Sequence, residues 1–79
     1  MTIERTAHPH IVRDTTIYDG EPIVEGTSTG VRHVILEFQA GKDPEVIANV
    51  HHISLAQVYD AISYFYDYPD EIEGYIQQE

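Results

Sequence analysis

Cysteine is absent, so no disulfide framework, zinc ribbon or thiol nucleophile is available to this chain. Basic residues are scarce: Lys and Arg together number 4 against 14 Asp and Glu, a formal charge of −10. No apolar run approaches the roughly 20 residues that a membrane-spanning helix requires. Met1 to His10 also lacks the apolar stretch of a signal peptide. These absences lead us to expect a cytoplasmic protein that makes no use of a membrane. With 79 residues there is room for one domain and one modest core, which excludes a large enclosed active site. Apolar residues still make up 42% of the chain, enough for a folded domain rather than an acidic tail.

The hydrophobic pattern divides this domain into a short β arm and a helical bundle, a mainly α fold. Residues 1–9 read as a flexible N-terminus and 10–79 as the single folded domain. Ile11-Val12 and Ile23-Val24 are β-branched pairs separated by turn formers, which predicts two short strands. Such a ribbon is marginal alone, so it must lean on the helices or on a second copy of itself, and we expect a homodimer joined partly through residues 10–24. From Val31 the period changes: Val31, Val34, Ile35 and Phe38 share one helix face, with Thr29 as its cap and Gly41 as its stop. Asp43-Pro44 opens a second helix with Val46, Ile47 and Val50 on one side. Ser54 with Gln57 three residues on is a capping box for a third helix over about 55–68, halted by Pro69. A short fourth helix carries Ile72, Tyr75 and Ile76. The second and third helices, joined by a three-residue turn, predict a helix-turn-helix over about 43–68.

The run Gly20-Glu21-Pro22-Ile23-Val24-Glu25-Gly26-Thr27, followed by Val31-Arg32 at a helix start, resembles the domain-of-unknown-function family numbered 433. Leu55-Ala56-Gln57-Val58-Tyr59-Asp60-Ala61-Ile62-Ser63-Tyr64-Phe65 and Pro69-Asp70-Glu71-Ile72 resemble its later segments. The resemblance implies a β arm on a three- or four-helix homeodomain-like bundle. It also implies an antitoxin of the VapB-type group, whose members often accompany a PIN-like ribonuclease. One position departs from the family: Ser28 stands where an Arg is usual after Gly-Thr, so a bidentate anion contact at that point is missing here. Gly20, Pro22, Gly26, Thr27, Val31 and Arg32 are read mainly as structural residues, the glycines supplying positive φ and the proline a fixed turn.

Charge separates the function classes most sharply. Residues 1–42 hold Arg5, Arg13, Arg32 and Lys42 against six acids, whereas residues 43–79 hold eight acids and no Lys or Arg. A helix-turn-helix without cations cannot collect phosphate contacts, so unaided DNA binding is not expected. His8 and His10, and the adjacent His51 and His52, do not match a metal signature such as H-E-x-x-H, and they read as surface or capping residues. No catalytic, metal-binding or cofactor-binding residue is assigned, and no enzyme activity is expected. On a helical wheel Leu55, Val58, Tyr59, Ile62, Phe65 and Tyr66 form the expected core stripe of the third helix. Tyr64 and Tyr68 then form a ridge on the opposite side, flanked by Asp60 and Asp67 and followed by Asp70 and Glu71. That ridge is the expected contact for a basic protein partner, with burial under the fourth helix as the rival reading. The runner-up function is a dimeric transcriptional regulator that binds DNA only with a partner or through its N-terminal arm.

Overall fold

The computed structural model describes residues 2–78. Three short strands, β1 (Ile3–Arg5), β2 (Ile11–Asp14) and β3 (Pro22–Val24), form an antiparallel sheet in the order β1-β2-β3. Four helices follow: α1 (Val31–Gln39), α2 (Pro44–His51), α3 (Leu55–Asp67) and α4 (Pro69–Gln77). The predicted ribbon therefore gains a third strand from the segment expected to be a flexible N-terminus. β1 lies outside β2 with Glu4 opposite Arg13, and its residues are all exposed, leaving periodicity no apolar alternation to detect.

Register assigns the sheet two faces. Ile11 pairs with Val24, and both side chains are fully buried against the helices. Arg13, two residues on, shares that inner face by the period of two. Val12 pairs with Ile23 on the outer face. α1 runs through the middle of the molecule, packing on α2, α3 and α4 and touching β3. Val31, Val34 and Ile35 of α1 meet Ile47, Val58, Ala61, Ile62, Phe65 and Ile72 in one core.

The helix boundaries follow local chemistry. Ser54 Oγ accepts from the Gln57 N–H at 3.1 Å while Gln57 Oε1 accepts from the Ser54 N–H at 2.7 Å, the expected capping box. Pro44 and Pro69 occupy first-turn positions, where a missing N–H costs nothing. Tyr68 sits at φ −133° and ψ 58°, pushed out of the helical region by the proline that follows, and α3 gives way to α4 there. At the start of α1 the cap is Gly30 rather than Thr29, and its N–H is held by His33 Nδ1 at 3.0 Å. On α2 only Ile47 of the expected apolar trio is buried; Val46 and Val50 face outward, and Ala48 takes the second buried position.

Candidate functional site

Every Lys and Arg of the chain is held by a carboxylate of the same chain. The Arg5 guanidinium lies 2.7 Å from Glu25, and this hydrogen-bonded pair raises the pKa of the arginine and lowers that of the glutamate. Lys42 Nζ lies 3.0 Å from Glu37 Oε1, and His51 contacts the other oxygen of the same carboxylate. Arg32 Nε is 3.1 Å from Glu21 Oε1, with its guanidinium carbon 5.6 Å from the centre of the Tyr18 ring. Arg13 reaches furthest: it donates to the Gly20 carbonyl at 3.2 Å, to Tyr64 Oη at 2.7 Å and to Glu71 Oε2 at 2.7 Å. Burial disfavours its charge, but the Glu71 hydrogen bond and the surrounding negative field more than offset that, so its pKa is raised.

This last network corrects the expected tyrosine ridge. Tyr64 is only 2% exposed. Its hydroxyl accepts from Arg13 and donates to Glu71 Oε1 at 2.8 Å, while the Tyr75 hydroxyl donates to Glu71 Oε2 at 3.1 Å. Burial first, and then the neighbouring Glu71 carboxylate, raise the Tyr64 pKa. Asp60 is also turned inward: Oδ2 accepts the His10 N–H at 2.7 Å and Oδ1 lies 3.3 Å from His8 Nδ1. His8 Nε2 is 2.8 Å from Asp67, and its ring meets the edge of Tyr64 at 5.2 Å between centroids. The β1–β2 turn thus closes over the face of α3 that carries Asp60, Tyr64 and Asp67. Of the expected partner-binding set, Tyr64 is buried and Asp60 and Glu71 are half-buried in internal hydrogen bonds, whereas Tyr68, Asp67 and Asp70 remain exposed. Tyr68 keeps its ring against Tyr64 at 4.9 Å.

The opposite face of α3 changes role in the other direction. Leu55, Tyr59 and Tyr66, expected in the core, are 39%, 54% and 66% exposed. Val58, Ile62 and Phe65 are buried as expected, joined by Ala61 and Tyr64, because α3 is covered on one side by α1 and α2 and on another by β2 and α4. Two elements packing from different directions rotate the buried arc away from the one that hydropathy alone favours.

The glycine-proline motif builds the β2–β3 connection and the turn into α1. Tyr18, Asp19 and Gly20 form a left-handed turn at φ 50°, 54° and 87°, and Gly26 takes φ 80°. Thr27 closes the second turn, donating its hydroxyl to the Val24 carbonyl at 2.8 Å and accepting the Thr29 N–H at 3.0 Å. Pro22 opens β3, Val31 is fully buried at the start of α1, and Arg32 belongs to the Glu21 pair. Ser28 is exposed at the rim of a shallow cleft of about 470 Å³ on the outer sheet face, floored by Val12 and Ile23. Among the described residues no group of three or more His, Asp or Glu side chains is disposed to hold a metal ion, and no helix is long and apolar enough to cross a membrane.

These features define a small, mainly helical protein whose N-terminal sheet is locked to its third helix by polar contacts of His8 and His10 and to its fourth by the Arg13–Glu71 ion pair. Residues 11–65 match the family model described as "Protein of unknown function (DUF433)", and the chain belongs to that family. The match begins at β2, spans the glycine-proline motif and ends at the buried Phe65 of α3. No curated protein and no solved structure gives a significant match.

Proposed function

We propose that this protein is a cytoplasmic, homodimeric antitoxin-like interaction module that binds and neutralises a basic, PIN-like ribonuclease through its acidic C-terminal half. Within that half we read α2 and α3 as a homeodomain-like helix-turn-helix. The observation that carries the proposal is the fate of the cations. All four basic side chains are engaged in internal ion pairs, and residues 43–79 add eight acids with no Lys or Arg. A surface of that kind repels phosphate and attracts a basic protein. The antitoxin label rests on the resemblance to relatives found beside ribonucleases.

The test is a ribonuclease assay with a basic PIN-like protein encoded beside this gene. Adding the chain should suppress RNA cleavage as the two approach equal amounts, and the suppression should weaken as salt rises. Undiminished cleavage in the presence of excess chain would overturn the proposal. The regulator reading draws support from the α2–α3 pair. It differs in requiring a gel shift that appears only when the basic partner is added.

A further inference from the structure

We infer that the outer stripe of α3 formed by Leu55, Tyr59 and Tyr66 is the docking face for the apolar side of a basic amphipathic polypeptide segment. This inference rests on the reading that the acidic half binds a basic partner, and it names the surface. At about 100° per residue the three positions fall within about 40° of arc, so they line up along the helix. At about 1.5 Å per residue they span roughly 16 Å, three turns of continuous contact. Their exposures of 39%, 54% and 66% contrast with the fully buried Val58 on the adjoining side of the same helix. Single exposed apolar residues need no explanation, whereas a row of two aromatics and a leucine marks an interaction surface. Ala56 and Ser63, both exposed, lie beside the row and leave low ground between the rings for an inserted side chain.

Charge decides the occupant. Asp67, about 80° round the helix from Tyr59 at the edge of the face closed by the β1–β2 turn, keeps 61% of its side chain exposed despite its contact with His8. Glu45 on α2 and Asp70 on α4 add exposed carboxylates, and no Lys or Arg lies anywhere from residue 43 onward. A second copy laid on this stripe would bring two such acidic halves together. Duplex DNA would meet tyrosines where its phosphates need cations. A basic segment satisfies both features: its apolar side chains pack between the rings, and its Lys or Arg side chains reach the carboxylates or stack on Tyr59 and Tyr66.

The probe is a synthetic amphipathic peptide of leucine and lysine, titrated into the isotope-labelled full chain and followed by amide chemical shifts. Two control peptides are a scrambled version without an apolar face and a leucine-glutamate version. We expect saturable shifts centred on residues 55–66, weak or absent binding of both controls, and a loss of about tenfold or more in affinity in Y59S/Y66S. Because both tyrosines are exposed, that variant should keep the melting temperature of the parent. Equal binding of the scrambled peptide, shifts centred elsewhere, or unchanged affinity in a folded Y59S/Y66S would overturn the inference. So would a parent chain that self-associates through this stripe and a Y59S/Y66S variant that does not. If the ribonuclease is not inhibited but the peptide still binds through this stripe, the functional reading fails and the docking face stands.

Discussion

Tyr64 shows how much one hydroxyl can organise in a small protein. Its ring fills the space under the sheet, and its Oη joins an arginine of β2 to a glutamate of α4. Removing the ring leaves a cavity and two half-buried charged groups that lose a partner. We expect Tyr64→Ala to cost about 3 kcal/mol or more in unfolding free energy. Tyr64→Phe, which keeps the volume and removes only the hydroxyl, should cost about 1–3 kcal/mol. Chemical denaturation followed by circular dichroism measures both; a Tyr64→Ala protein as stable as the parent would contradict the burial. Helical periodicity could not place this residue. Its decisive partner, Arg13, lies 51 positions away, and spacing within a helix is silent about contacts from outside it.

Among the elements, α3 was the most legible and the most misjudged. Its start is written in Ser54 and Gln57 and its end in Pro69, because caps and proline act within a few residues. Loss of the cap should therefore be felt locally: Ser54→Ala is expected to destabilise the protein by about 1 kcal/mol, and Ser54→Asp to restore most of it. Thermal melts of the two variants against the parent check this, with equal melting points for all three counting against it. The buried arc of α3 was not legible in the same way. Tyr and Leu are apolar enough for a core and amphipathic enough for a surface, so hydropathy cannot rank them. Neighbours decide, and here the β1–β2 turn brings His8 and His10 onto the polar side of α3, burying it beyond the width of an ordinary apolar stripe.

At the scale of the whole molecule, ion pairs join what sequence keeps apart, and they predict the response to pH. Burial opposes the Glu37 charge, but hydrogen bonds from Lys42 and His51 outweigh it, so the folded-state pKa lies below the ordinary 4.5. Hydrogen bonds from the Thr16 hydroxyl and N–H likewise hold Asp14 below 3.8. A depressed carboxylate contributes stability that is complete above its unfolded value and is lost as pH falls through the folded one. Tyr64 has the opposite sign: its raised pKa gives stability that is complete below about 10 and is lost as pH rises toward its folded value. Urea midpoints across pH should accordingly fall below about pH 4.5 and above about pH 10. Glu37→Gln should flatten the acid side and Tyr64→Phe the alkaline side. Unchanged limbs in those variants would sink the assignment.

The amino-acid sequence alone determined the four helices, the caps of α2 and α3, the glycine and proline stops, the two glycines of the connecting turns and the acidic bias of residues 43–79. Each of these depends on residues within one or two turns of chain, or on composition. Tertiary structure decided what lay between distant residues. It recruited Ile3–Arg5 as a third strand, held each of the four cations against a carboxylate, and turned Tyr64 inward while leaving Tyr59 and Tyr66 outside. Packing settles such questions because a side chain's surroundings are supplied by whichever elements the fold places beside it. Local pattern specifies only the helix on which that side chain is carried.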